Sequence, residues 1–157
     1  MYAIGEKIVY PMHGAGTIEK IEEKEILGEL RKYYVLKVPG DDMKIMIPVD
    51  NSEEIGVRSV ISADELNTVL AVLGESSSEM SRNWNRRYRE NMEKLKTGSA
   101  VEVAEVVRNL TRTERTKKLS AGEKRMLTSA RQILLSEMVL AGEMDAARAD
   151  VLIDEAV

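Results

Sequence analysis

The sequence predicts an α+β protein in two modules: a small, strongly bent antiparallel β-barrel over residues 1–60 and an all-helical bundle over residues 61–157. Three observations carry this. Short β-prone runs broken by glycine and proline fill the first module. At Ser62 the apolar spacing changes to the helical period, behind the first of three capping boxes. Charge is also distributed in blocks: residues 1–80 hold 8 Lys/Arg against 15 Asp/Glu, residues 81–131 hold 14 against 6, and residues 132–157 hold 1 against 6.

In the first module Ile8–Tyr10 is a short apolar run stopped by Pro11, and Gly14 and Gly16 read as turn residues. Thr17–Ile26 is a longer strand whose glutamates spoil strict alternation, and Gly28 ends it. Tyr33–Val38, aromatic and β-branched, is the clearest strand. Pro39-Gly40-Asp41-Asp42 has turn chemistry, Lys44–Val49 returns as a strand, and Val57–Ile61 adds a last short one. So many short strands in so few residues suit a barrel of SH3 or Tudor type.

The helices follow from their caps. Ser62–Glu65, Ser99–Glu102 and Ser120–Glu123 are capping boxes, in which a serine accepts from the third backbone amide and the glutamate reaches back. Leu66, Val69, Leu70 and Leu73 follow the first box, with Gly74 as the stop. Val103, Val106, Val107 and Leu110 follow the second. Met126, Ala130, Ile133, Leu134 and Met138 follow the third, with Gly142 as the stop. A helix starting near Trp84 and ending near Lys96, and another over Asp145–Glu155, complete the bundle.

Asn83–Arg89 holds the only tryptophan, and from Arg82 to Lys96 six basic residues stand against Glu90 and Glu93. Such a surface suits a polyanion, since cations neutralise phosphates and an apolar ring can press on a base step. The same spacing has a plainer reading. Trp84, Tyr88, Met92 and Leu95 share one helical face, which is the pattern of a core stripe. Arg108, Arg112, Arg115, Lys117 and Lys118 form a second basic crowd, with Lys124 and Arg125 after it, where a helix N-terminus disfavours cations.

The chain has no cysteine, which excludes disulfides and thiolate metal sites. It shows no signal-peptide pattern and no membrane-length apolar run, so a cytoplasmic protein is expected. His13 stands alone, and no nucleophile elbow or phosphate-binding glycine loop is present. No catalytic residue, metal site, cofactor or small-molecule substrate is expected.

Tyr10–Gly16 (YPMHGAG), Tyr34–Val38 (YVLKV) with Pro48, Asn83-Trp84 with Arg86-Arg87-Tyr88, and Leu119–Met126 (LSAGEKRM) resemble the CarD/CdnL family of bacterial transcription regulators. The resemblance spans essentially the whole chain in order and spacing. It implies that residues 1–60 are a Tudor-like RNA polymerase interaction domain, shared with the transcription-repair coupling factor, that binds the polymerase β subunit partly strand to strand. By position, Lys24, Ile26, Ile45, Met46 and Ile47 lie in the strands that form or flank that contact. Some relatives carry arginine at the positions of Lys24 and Met46, so the contact here is expected to be weaker or more apolar. The resemblance implies that residues 61–157 are a helical DNA-binding domain that contacts forked promoter DNA without reading its sequence, at the upstream edge of the bubble. Trp84 would be the minor-groove wedge, Arg86, Arg87 and Arg89 would hold phosphates beside it, and Lys124 and Arg125 would form a second backbone clamp. From the residues alone, an adaptor with a structural bundle and an RNA-binding module that stacks Trp84 and Tyr88 on bases are the alternatives.

Overall fold

The computed structural model describes residues 1–40 and 44–157. Strands β1 (Lys7–Tyr10), β2 (Gly14–Ile26), β3 (Glu29–Lys37) and β4 (Lys44–Pro48) come first, then a one-turn helix α1 (Ser52–Ile55) and strand β5 (Arg58–Ser59). Helices α2 (Ala63–Gly74), α3 (Trp84–Lys96), α4 (Ala100–Thr116), α5 (Ala121–Gly142) and α6 (Ala146–Ala156) follow. The expected α+β architecture is thus present, with one short helix, α1, that the sequence reading did not include. The turn expected at Pro39–Asp42 falls partly on Asp41 and Asp42, outside the described residues.

The strands form one five-stranded antiparallel sheet in the order β4-β3-β2-β1-β5. It curls around a small core of Ile8, Ile18, Tyr34, Leu36, Ile47 and Val57. The imperfect alternation of β2 has a structural cause. The β2–β3 register shifts between Ile18 and Lys20, so Ile18 opposes Leu36 while Ile21, three residues on, opposes Tyr34. The extra residue, Glu19, lets both isoleucines face inward.

Gly14 and Gly16 are not turn residues, contrary to expectation. The turn is Tyr10–His13, closed by the His13 amide donating to the Tyr10 carbonyl at 2.9 Å, with Met12 at φ 72°. Both glycines lie in β2, where backbones approach closely. A Cβ on Gly16 would sit 2.9 Å from the Lys37 carbonyl oxygen, and one on Gly14 would sit 2.9 Å from Ser136 Oγ.

The serine half of each expected capping box forms. Ser62, Ser99 and Ser120 accept from the amides of Glu65, Glu102 and Glu123, and Asn83 and Asp145 cap α3 and α6 in the same way. Satisfying a first-turn amide is worth about 1 kcal/mol per cap, which fixes where each helix begins. The five helices bury a second core that includes Val69, Leu73, Leu95, Val107, Leu110, Leu134, Met138 and Ile153. Helices α4 and α5 pack most extensively on one another, and α5 also packs on β2.

Three polar ties join α5 to the sheet. Ser136 Oγ accepts from the Ala15 amide at 2.9 Å. Arg58 of β5 forms a bidentate pair with Glu137 at 2.6 and 2.7 Å. Lys7 Nζ donates to the Leu140 carbonyl at 3.4 Å.

Candidate nucleic-acid interface

Trp84 is the first residue of α3, and Asn83 Oδ1 accepts from the Arg86 amide at 3.1 Å to start the helix there. The apolar face it opens is graded rather than uniformly buried. Leu95 is 2 % exposed, Met92 and Tyr88 are half-buried, and Trp84 is 43 % exposed. The stripe therefore begins in solvent and ends in the core.

The indole is held, not loose. Its Nε1–H donates to Ser120 Oγ at 2.9 Å, and its ring stacks on Tyr88 with centroids 5.4 Å apart and planes 24° apart. Gly122, in the first turn of α5, lies beneath the ring pair, with room for an ordinary van der Waals contact. A Cβ there would lie 3.6 Å from Trp84 Cζ2 and 3.7 Å from Tyr88 Cε2. The edge carrying Nε1 and Cζ2 is thus anchored against α5, while much of the ring stays in water.

Ser120 connects this anchor to a buried ion pair. Its hydroxyl donates to Glu123 Oε1 at 3.1 Å while accepting from the Glu123 amide at 3.2 Å. Glu123, only 2 % exposed, takes the Arg87 guanidinium through Nε at 2.8 Å and Nη2 at 2.9 Å. Arg87 Nη1 donates to the Ser81 carbonyl at 3.2 Å. The Arg87 hydrogen bond holds the Glu123 carboxyl below the usual carboxylate range, against the desolvation that raises it. The same bond raises the Arg87 pKa.

The residues expected at this surface therefore divide. Arg89, Lys124 and Arg125 are exposed and, among the described residues, carry no ion pair. Arg82, beside the helix start, is in the same state. Arg86 is exposed and makes only the i,i+4 pair with Glu90 at 2.9 Å, a contact worth a few tenths of a kcal/mol and easily exchanged for another anion. Arg87 is different: its guanidinium is committed to Glu123 and the Ser81 carbonyl, so it braces α3 on α5. Ser120, Gly122 and Glu123 were visible in sequence only as a capping box.

The second basic crowd is mostly not a surface for ligands. Arg108 is 2 % exposed and donates to the Val72 carbonyl, Ser78 Oγ and Asn109 Oδ1. Arg112 donates to the carbonyls of Leu73 and Glu75, and Arg115 to that of Val157.

On the sheet, Ile45, Met46 and Ile47 lie on β4, an edge strand among the described residues. The Val49 amide donates to Lys32, and Tyr34↔Ile47 and Val35↔Met46 keep that register. In an antiparallel ladder the hydrogen-bonded side alternates. Ile45 and Ile47 therefore bond inward to β3, and the backbone N–H and C=O of Met46 face outward. Ile47 is fully buried and Ile45 half-buried, so of the three only Met46 presents backbone to a partner strand. Lys24 and Ile26 sit instead on the projecting β2–β3 hairpin, opposite Arg31 and Glu29, beyond the end of β4. The expected set is thus divided between a hairpin and a strand edge.

A curled antiparallel sheet is thus joined to a helical bundle, with β4 an edge strand among the described residues on one and a cationic aromatic head on the other. The comparisons give the chain's family. Residues 2–61 match the CarD-like/TRCF RID domain and residues 68–154 match the CarD C-terminal domain. The chain is also 43 % identical over 138 residues to YdeB of Bacillus subtilis (strain 168), named as a candidate transcription factor, covering 88 % of this chain and 90 % of that one. The chain belongs to the CarD family of transcription factors. Among the described residues no helix is long and apolar enough to cross a membrane.

Proposed function

We propose that this chain is a non-enzymatic regulator that bridges the β subunit of RNA polymerase and promoter DNA and stabilises the open complex. In this reading residues 1–60 are the polymerase tether and residues 61–157 the DNA-binding module. The observation that carries it is Trp84: a large apolar ring, 43 % exposed and fixed along one edge, in a segment whose exposed cations Arg82 and Arg89, with Lys124 and Arg125 at the start of α5, carry no ion pair among the described residues. Prying a base step apart costs a few kcal/mol, and an inserted ring recovers part of that. A ring already immobilised loses less entropy on insertion than a free one.

Arg89, Lys124, Arg125 and Arg86 are the phosphate contacts, and they position the protein without reading sequence. DNA affinity is therefore weak and salt-sensitive on its own, and the polymerase supplies location. On the sheet, Met46 offers its backbone N–H and C=O to a strand of the β subunit, with Lys24 and Ile26 flanking on the hairpin.

Trp84→Ala tests this. It should leave binding to the purified β-subunit lobe intact while shortening the lifetime of the open complex. Equal loss of both would mean the bundle had unfolded, which circular dichroism would register. Because the stacked Trp84–Tyr88 pair also suits unpaired bases, single-stranded RNA is compared with forked promoter DNA. Tighter binding to RNA without polymerase would overturn the proposal.

A further inference from the structure

Arg58 ties two separate parts of the molecule to the strand that carries it. It lies on β5, the strand that ends the sheet beside β1. Its Nη1 and Nη2 hold both carboxylate oxygens of Glu137 on α5, at 2.6 and 2.7 Å. Its Nε and Nη2 also donate to the Gly98 carbonyl, at 3.0 and 2.7 Å, in the turn that joins α3 to α4. Glu137 is 2 % exposed and takes a further bond from the Ile61 amide at 3.0 Å, at the start of the segment leading into α2. Gly98, at φ 72°, is itself pressed against Pro11 in the turn between β1 and β2, whose Cγ would lie 2.9 Å from a Cβ there.

The helices that Arg58 grips are the two that make the aromatic head. Helix α3 begins with Trp84 and ends at Lys96, just before Gly98. Helix α5 carries Ser120, Gly122 and Glu123 at one end and Glu137 near the other. A planar bidentate guanidinium fixes direction as well as distance, which a lysine cannot do.

We propose that Arg58 is a positioning residue. It sets the orientation of the sheet relative to α3 and α5, and so the place at which Trp84 arrives when the sheet is docked on its partner. This rests on the bridging function proposed above. Bridging requires both contacts at a fixed separation and angle, and a loose joint would let each contact form while the wedge missed its base step.

The chain has no cysteine, so a spin-label pair can be introduced cleanly at Glu29→Cys on the hairpin and Glu93→Cys on α3. The parent should give a narrow distance distribution by pulsed electron spin resonance, and Arg58→Lys should broaden it. Arg58→Lys should bind the β-subunit lobe and forked DNA separately as well as the parent. With complete polymerase it should shorten open-complex lifetime, by up to about a hundredfold, the scale on which misplacement by an ångström is felt in a positioned reaction. A double variant, Arg58→Met with Glu137→Met, separates position from stability. It should recover the melting temperature lost in Arg58→Met and retain the short lifetime. A distribution as narrow as the parent's, or a double variant with the parent's lifetime, would overturn the proposal. If the parent itself leaves the lifetime unchanged, the bridging function fails instead, and the distance distribution still decides whether Arg58 fixes the geometry.

Discussion

The arginines at the start of α3 and those in the second half of α4 differ in what the neighbouring backbone offers them. Helix α2 ends with no basic residue in its last turn, and its final carbonyls lie against α4. Arg108 and Arg112 reach them, at Val72, Leu73 and Glu75, and become internal struts. The start of α3 faces a helix N-terminus, which offers amides rather than carbonyls and one buried carboxylate, Glu123. Arg87 takes that carboxylate, and Arg82, Arg89, Lys124 and Arg125 stay in solvent. Local composition is similar in the two segments; the supply of acceptors decides which cations remain for an external anion.

The comparison breaks first at Arg108. Arg108→Leu should cost on the order of 4 kcal/mol, because a charged group's hydrogen bonds are worth about 1.5–3 kcal/mol each and buried acceptors are left unpaired. Urea unfolding measures it. A loss below about 1 kcal/mol, typical of a surface site, would return Arg108 to the solvated crowd.

Arg87→Ala comes next, at about 3 kcal/mol, since it leaves the buried Glu123 carboxylate without its cation. A pH series sharpens the assignment. The Glu123 pKa is lower folded than unfolded, so its contribution to stability is present above the unfolded value and is lost as pH falls through the folded one. Glu123→Gln should flatten that part of the acid limb. An acid limb of unchanged slope would show that the Arg87–Glu123 pair does not form in solution.

Much of this was legible in the sequence, and the remainder had identifiable causes. Helix starts were readable because a serine cap and its glutamate are local, three residues apart in each case. Gly14 and Gly16 were misread as turn residues because their reason lies far along the chain, at Ser136 and at Lys37. The fate of the α4 arginines depended on carbonyls more than thirty residues away. In the candidate site, Trp84 and the free cations were named from composition. Ser120 and Glu123 were named only as a cap, since nothing local says that a cap hydroxyl also holds an indole. Ile47 was placed at the polymerase contact by similarity of position, and the alternation of the ladder leaves Met46, of the three β4 residues named, with its backbone facing outward.

A smaller effect separates the anchor of the indole from its bulk. Trp84→Phe keeps a ring stacked on Tyr88 and removes the bond to Ser120 Oγ, which is worth about 1 kcal/mol. Stability should fall by no more than that, while open-complex lifetime falls less than in Trp84→Ala. If phenylalanine matches the parent in lifetime, bulk alone suffices and the Ser120 anchor has no part in the wedge.

The smallest effect on stability should come from the cations that have no partner, and it is there that the division between the two segments is tested on DNA. Lys124→Glu should change stability by no more than about 0.5 kcal/mol, as at other surface positions. Its effect appears in the salt dependence of binding to forked DNA. Each phosphate neutralised contributes about 0.9 to the slope of log K against log salt, so the slope should fall by about one. Arg131→Gln is the matched control, because that guanidinium is already neutralised by Asp150 and Asp154, at 2.8 Å each. It should leave the slope alone. Equal slopes for Lys124→Glu and the parent would remove the start of α5 from the interface, whatever the exposure of its side chains.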